Sequence, residues 1–209
     1  MPELLGCRSI IGVSKKDEGL VREVFTLKKM ANRITEIVGG RAVHPITPIV
    51  GGFSKIPSRT KLSNALKIAK EFRERSKTLV EKFLEFEFPD FSRKKRYVAL
   101  HTGDNYPLLE GDVTIFEGNY FSQEEYEKYI KYVTEDYSSA RHYILEGFGD
   151  YMVGALSRVN INYSLLSDSA KSMAEKYGIR FPSHSPFDNN KAQALEIIHF
   201  GEELVELLE

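Results

Sequence analysis

The stretch from Gly39 to Phe53 reads GGRAVHPITPIVGGF and carries the most specific pattern in the chain. Glycine pairs at both ends flank an Arg-x-x-His-Pro run and a second proline. Glycine permits positive φ and close approach of another segment, whereas proline fixes φ and removes an amide donor. We therefore predict a stiff, non-helical loop that presents Arg41 and His44 from a defined backbone. Its structural residues are Gly39, Gly40, Pro45, Gly51 and Gly52.

Helical periodicity on both sides of this loop predicts two long helices. Before the loop, apolar residues recur every three or four positions from Leu20 to Val38, which places them on one helical face. Ser14 is the expected N-terminal cap of this helix, and Gly39 is its expected left-handed end. After the loop, Ser58 or Thr60 can cap the second helix. The two helices thus deliver the chain into and out of the loop.

The middle of the sequence changes character. Two short β-prone runs, Tyr97 to His101 and Val113 to Phe116, are separated by glycine and proline, which predicts a small antiparallel sheet near residues 97–117. The expected fold class is therefore α+β and mainly α-helical, with long packed helices and this small sheet. We expect residues 1–209 to form a single domain.

Capping residues predict three further helices after the sheet. Ser122 precedes Glu125 in a capping-box pattern, so a helix is expected there. Its inner side is expected to carry Tyr126, Tyr129, Ile130 and Val133, and His142 is expected in a helix or at its end. Ser167 is expected to cap a short helix, and Asp188 is expected to cap the last one.

Composition excludes several classes of protein. The chain has 209 residues, 42% of them hydrophobic and 28% charged, and a formal net charge of -1. This balance argues against a nucleic-acid-binding surface. No run approaches the roughly 18 apolar residues of a membrane span, and the N-terminus lacks a signal-peptide pattern, so a cytoplasmic location is expected. The single cysteine, Cys7, excludes an internal disulfide and a cysteine-based metal site supplied by this chain alone.

The residues alone identify no catalytic group and no metal ligand. None of the five histidines stands in a ligand pattern, and the sequence contains no Gly-x-Ser-x-Gly elbow and no Gly-Lys-Ser/Thr phosphate loop. His101, His142 and His184 are expected to be surface or hydrogen-bonded residues. For His44, three interpretations stay open: hydrogen bonds that brace the loop, plain solvent exposure, or a functional role.

Several stretches of the chain resemble a known family. They are Pro2 to Gly6, Gly39 to Lys55, Asn105 to Leu108, Asp150 to Asn160, and Ser185 to Glu196. In order and spacing they resemble the central part of the large (alpha) subunit of nickel-iron hydrogenases of the cytoplasmic type, which includes F420-non-reducing, sulfhydrogenase and NAD(P)-linked enzymes. The chain departs from the family pattern at Asp150, Ser157 and Ser185.

The resemblance implies which parts of the enzyme this chain supplies. In the family, Cys-x-x-Cys motifs near both ends of the large subunit hold nickel and iron, and this sequence would begin after the first motif and end before the second. We therefore expect no cofactor in this chain, with the nickel-iron centre belonging to the intact enzyme. By resemblance, Arg41 and His44 would lie near the small subunit, close to its nearest iron-sulfur cluster.

Two functional hypotheses follow. In the first, the chain is the middle segment of a hydrogenase large subunit. Its partners would be the remaining parts of the large subunit, together with the small subunit. It would be inactive alone, and its exposed apolar surface would favour self-association. In the second, the chain is a non-catalytic, stand-alone helical module for interaction or assembly. Cys-x-x-Cys motifs in the flanking coding sequence would support the first.

Overall fold

The computed structural model describes residues 2–209, which divide into two compact units. The first unit comprises the described residues up to Phe88 together with Ile197–Glu209, and the second comprises Pro89–Glu196. The single domain expected from the sequence stays a prediction, because a compact unit is not by itself an independently folding domain. None of the helices described in these residues is long and apolar enough to cross a membrane.

The first unit is built mainly from helices. After a 3₁₀ turn at Pro2–Leu5, its elements are α1 (Ile10–Lys16), α2 (Glu18–Gly39), β1 (Pro48–Ile49), β2 (Gly52–Phe53) and α3 (Arg59–Leu84). The strands β1 and β2 form a very short antiparallel hairpin within the loop that joins the two long helices. The two long helices predicted on either side of the loop are therefore present.

The start of α2 is capped by Asp17, so the prediction of Ser14 as the cap was wrong. The Leu20 amide donates to Asp17 Oδ1 at 2.8 Å, while Ser14 lies inside α1, whose own cap is Ser9. Aspartate and serine are nearly equal N-caps, so the choice between them depends on where the preceding helix ends. At α3 the prediction was correct, since the Lys61 amide donates to Ser58 Oγ.

The left-handed residue at the end of α2 is Gly40 and not Gly39. Gly40 has φ 78°, and its amide donates to the Glu36 carbonyl at 3.0 Å. Gly39 is the last helical residue. With two adjacent glycines, the sequence could not decide which of them would take the strained conformation.

Helices α2 and α3 pack on each other around a small apolar core. Ile34, Ala69 and Val205 are buried together, with three partly buried leucines and one partly buried isoleucine around them. On the flank of this core, Arg75 Nε and Nη2 donate to the two oxygens of Glu23 at 2.8 and 2.6 Å. The hydrogen bond from Arg75 lowers the pKa of the Glu23 carboxyl. The pair therefore links α3 to α2.

The second unit combines a sheet, a hairpin and helices. Its strands are β3 (Arg96–His101), β4 (Asp112–Ile115), β5 (Tyr120–Phe121), β6 (Ile130–Glu135), β7 (Ser138–Leu145) and β8 (Tyr151–Met152). Its helices are α4 (Tyr126–Tyr129), α5 (Ala155–Asn162), α6 (Asp168–Lys176) and the start of α7 (Asp188–Leu208), with 3₁₀ turns at Gln123–Glu125 and Tyr163–Leu165.

The small antiparallel sheet expected near residues 97–117 is confirmed. Strand β3 pairs antiparallel with β4, with Val98 opposite Ile115, and the strand order is β5-β4-β3-β8. The last strand, β8, runs parallel to β3. Val98, Ile115, Phe121 and Leu145 form the buried core beneath the sheet. Together with the helices, this sheet makes the fold α+β and mainly α-helical, as predicted.

The helix predicted after Ser122 is mostly a β-hairpin. A 3₁₀ turn and the four residues of α4 come first; β6 and β7 then pair antiparallel, with Tyr132 opposite Tyr143. His142 lies in β7 and not in a helix. Cross-strand aromatic and β-branched pairs stabilise this hairpin, and they outweigh the local capping pattern. The helix after Ser167 is confirmed, with the Ala170 amide donating to Ser167 Oγ.

The ends of two later helices also differ from expectation. Asp188 is the first residue of α7 and not the residue before it. Helix α5 begins directly after Gly154, which has φ 100°. This helix is not predicted from the sequence, because its eight residues are too few for helical periodicity to show.

Candidate functional site

The glycine-rich loop closes on itself where it leaves α2. The carbonyl of Gly39 accepts from the amides of Ile46 and Thr47 at 2.8 and 3.2 Å. The side chain of Thr47 is buried, and its Oγ1 donates to the Val38 carbonyl at 2.7 Å. These bonds tie the end of the Arg41–Pro45 segment to its beginning. The segment is therefore held as a compact excursion, which agrees with the stiff loop predicted from the sequence.

Two of the predicted structural glycines are needed for close approach. A Cβ atom on Gly39 would lie 2.8 Å from Pro45 Cβ. A Cβ atom on Gly40 would lie 3.0 Å from Thr47 Cγ2, in addition to the strain of φ 78°. Gly39 and Pro45 thus touch across the closed segment, and a larger side chain at either glycine would push it open.

The second glycine pair makes the turn of the short hairpin. Gly51 has φ 84° and Gly52 has φ 149°, and Ile49 pairs with Gly52 across the turn. A Cβ atom on either glycine would meet nothing within 4 Å. These glycines are therefore required for backbone conformation alone.

Arg41 and His44 both lie exposed on the closed segment. His44 has φ 52°, an uncommon conformation for a residue with a side chain. Within residues 2–209, neither side chain has a hydrogen-bond or ion-pair partner in the same chain. His44 therefore does not brace the loop through hydrogen bonds, and both polar groups are available to a partner.

Six exposed aliphatic and aromatic residues of the same loop accompany the two polar side chains. We call this set the apolar loop surface; it consists of Val43, Ile46, Ile49, Val50, Phe53 and Ile56. Val50 is fully exposed, and Ile56 is 80% exposed. Large apolar side chains concentrated in one loop are typical of surfaces that meet another protein. The loop therefore combines a rigid backbone with the composition of a docking surface.

The second unit contains a cluster of polar residues around one buried carboxylate, which sequence reasoning missed. Arg158 Nε and Nη2 donate to Glu196 Oε1 and Oε2 at 2.6 and 2.8 Å, and Tyr106 donates to Glu196 Oε1 at 2.8 Å. Glu196 is only 6% exposed. We call Tyr106, Arg158 and Glu196 the buried polar cluster. Its carboxylate is neutralised by a bidentate arginine, which is the geometry that allows a charge to be buried.

Burial and hydrogen bonding shift the pKa values within this cluster. The hydrogen bond to Glu196 raises the pKa of the Arg158 guanidinium. Burial, followed by the negative charge of Glu196, raises the pKa of the Tyr106 phenol well above its ordinary value. Tyr106 is therefore protonated, and able to donate its hydrogen bond to Glu196, over the whole physiological pH range.

Further hydrogen bonds join the same segments of the second unit. Asn189 Oδ1 accepts from the Leu156 amide at 3.1 Å. Asn162, fully buried, donates to the Leu100 carbonyl at 2.9 Å and lies 2.7 Å from a ring nitrogen of His101. Three of the stretches that carry the family resemblance thus meet here through packing.

One feature of the sequence could have indicated the cluster. The charged residues Arg158 and Glu196 stand among mostly apolar residues.

The residues of this chain do not fit a nickel-iron centre. Such a centre needs soft thiolate ligands, and Cys7 is the only cysteine. Its Sγ lies 3.6 Å from the Leu5 carbonyl. Across residues 2–209, no three histidine, cysteine, aspartate or glutamate side chains are grouped so that they could hold a metal ion.

Known proteins resemble the chain along its entire length. No family model matches it. It is 30% identical to the alpha subunit of sulfhydrogenase 1 from Pyrococcus furiosus, covering 100% of this chain and 49% of that protein. It is 27% identical to a subunit of the F420-non-reducing hydrogenase vhc from Methanococcus voltae, covering 97% and 47% respectively.

A solved structure shows the same fold. The crystal structure of an NAD+-reducing [NiFe]-hydrogenase in the H2-reduced state superimposes with a TM-score of 0.86, at 20% identity, over 99% of this chain and 52% of that one. The chain thus spans about half the length of the curated relatives it matches. The chain is therefore homologous along its whole length to the alpha subunits of two hydrogenases, and it has the fold of a [NiFe]-hydrogenase chain.

Proposed function

We propose that this chain is a fragment or partial form of a nickel-iron hydrogenase large subunit that supplies scaffold and part of the small-subunit interface. Its similarity to hydrogenase alpha subunits over its full length supports this proposal. H2 oxidation or evolution would be the activity of the intact, cytoplasmic enzyme. The chain alone would be inactive, because its residues do not supply the thiolates of the metal centre.

The apolar loop surface beside Arg41 and His44 carries the interface part of the proposal. Its six large apolar side chains are exposed, and burying them against another protein would be favourable by about 25 cal/mol for each Å² removed from water. The backbone is already fixed by the Gly39 hydrogen bonds. A preorganised loop loses little conformational entropy when it docks.

Arg41 and His44 would add polar recognition at this surface. An imidazole near an iron-sulfur cluster can donate a hydrogen bond toward the cluster and tune its potential. A guanidinium can bind a carboxylate of the small subunit in bidentate fashion. Neither side chain is engaged within the described residues, so neither would have to break an internal bond first.

The test is co-expression of the tagged chain with the remaining parts of a large subunit, plus a hydrogenase small subunit, from the same genome. We expect co-purification, and at least a tenfold loss of binding for the double variant Arg41→Ala/His44→Ala. Lys67→Ala is the matched control, because Lys67 is also exposed but lies outside the loop. The chain purified alone should contain no stoichiometric nickel or iron and should reduce no dye with H2.

Two outcomes would contradict the proposal. A chain that binds neither the small subunit nor the rest of the large subunit would support the stand-alone module instead. Stoichiometric metal with turnover in the isolated chain would show that it holds a metal centre through other residues.

A further inference from the structure

A cleft of about 660 Å³ lies in the first unit between the C-terminal end of α2, the segment after the short hairpin, and the first turns of α3. It is separate from the polar groups of the proposed small-subunit interface, since neither Arg41 nor His44 lines it. Its volume lies in the range of clefts that enclose a ligand or a short stretch of chain.

The charge in this cleft is unbalanced. Arg33 and Glu36 line it and neutralise each other through an ion pair of 2.5 Å. Lys55 and Lys61 also line it, and within residues 2–209 neither ammonium group has an ion-pair partner. Two positive charges therefore face the same cleft without compensation, and an occupant with carboxylates is favoured.

The remaining lining is aliphatic, with one exposed amide. Ile37, Val38 and Pro57 line the cleft, as do Ile46 and Ile56, which are largely exposed. The side chain of Asn64 is exposed at the same cleft and offers both a donor and an acceptor. An inorganic anion would leave the aliphatic wall in water. An extended polypeptide would cover it and pair its backbone with the amide.

We propose that this cleft binds an extended segment of a partner polypeptide that carries both carboxylate and aliphatic side chains. The aliphatic side chains rest on Ile46 and Ile56, the carboxylates pair with Lys55 and Lys61, and Asn64 bonds the segment's backbone. The inference goes beyond the proposed function. Ile46 and Ile56 belong to both surfaces, but the polar contacts are made by Lys55, Lys61 and Asn64 and not by Arg41 or His44.

The test measures binding of two labelled probe peptides to the full chain by fluorescence anisotropy. Both have eight residues, one of alternating leucine and glutamate and the other of alternating leucine and lysine. We expect saturable binding of the glutamate peptide alone, weakened severalfold when salt is raised from about 50 to 200 mM. Lys55→Glu/Lys61→Glu should weaken binding about tenfold or more. Lys67→Glu, on the same helix as Lys61 but outside the cleft lining, should leave it unchanged.

Three results would overturn the inference. The first is equal affinity for the two peptides or no binding of the glutamate peptide. The second is equal weakening by the Lys67 variant and the double variant, which would indicate only a general effect of net charge. The third is that the chain self-associates and that the double variant, but not the Lys67 variant, converts it to a monomer. The cleft would then be occupied by a second copy of this chain.

Discussion

The glycine-rich loop of the first unit and the buried polar cluster of the second both lie in stretches that carry the family resemblance, but they have opposite environments. In the loop, Arg41 and His44 form no hydrogen bond and no ion pair within residues 2–209, and exposed apolar residues lie close to them in the sequence. In the cluster, Glu196 is buried and accepts from Arg158 and Tyr106, which lie 38 and 90 residues away in sequence. A family pattern therefore marks an outward surface in one unit and internal packing in the other.

The largest effect should come from breaking the buried polar cluster. In Arg158→Ala the carboxylate of Glu196 would stay buried without its bidentate partner. We expect a loss of about 3 kcal/mol in the free energy of unfolding, at the low end for a buried pair because Arg158 is itself one-third exposed. Urea unfolding followed by circular dichroism measures this change.

The control for this variant is Arg22→Ala. Arg22 also forms an ion pair with a glutamate, at 2.6 Å, but both side chains are largely exposed. Such pairs contribute little to stability. If the two variants unfolded at the same urea concentration, the buried polar cluster would not stabilise the second unit. The difference proposed between the cluster and the glycine-rich loop would then be wrong.

Tyr106→Phe should have the next largest effect. It removes a hydrogen bond to a buried carboxylate, which costs about 2 kcal/mol at neutral pH. The folded chain also raises the pKa of this phenol above its usual value near 10. The resulting stability is fully present below pH 10 and is lost as the pH rises toward the folded-state pKa, because the unfolded phenol ionises first.

The pH dependence gives this variant a second measurement. Unfolding midpoints of the unmodified chain should fall above about pH 10, and in Tyr106→Phe the fall should be shallower. Burial also raises the pKa values of Tyr97 and Tyr151, so part of the fall should remain. Identical slopes for the two proteins would show that Tyr106 is solvated in the folded state.

The sequence predicted the loop better than the cluster for a physical reason. Glycine and proline act on their own backbone, so Gly51 and Pro45 could be assigned structural roles from the letters alone. The cluster depends on tertiary packing, because its partners come from the loop between β3 and β4 and from helices α5 and α7, which are far apart in the chain. The same limit explains the hairpin of β6 and β7, whose cross-strand pairs overrode a local helix signal.

Within the loop, the contributions of the two glycine pairs to stability can be measured separately. Gly40→Ala adds a Cβ that meets Thr47 and Ile46 and also strains a left-handed backbone, so we expect a loss of about 1–2 kcal/mol in the free energy of unfolding. Gly51→Ala has the same kind of strain without a steric clash, so its cost should be about 1 kcal/mol. Urea unfolding of both variants under one set of conditions gives the difference. An equal cost would mean that the loop is free to open at Thr47.

The smallest effect on stability should come from the exposed side of the loop. The side chain of Val50 is fully exposed and so buries no apolar surface in the folded chain. Val50→Asp should therefore change the free energy of unfolding by less than about 0.5 kcal/mol.

The same variant should reduce self-association. We expect the unmodified chain to self-associate through exposed apolar residues at high concentration, and Val50→Asp to shift it toward the monomer. Light scattering during size-exclusion chromatography measures the mass. Leu109→Asp is the control, because Leu109 is 87% exposed but lies in the second unit. The prediction would be wrong if the unmodified chain were monomeric, or if both variants shifted the mass toward the monomer equally. The loop would then contribute no more to self-association than other exposed apolar residues.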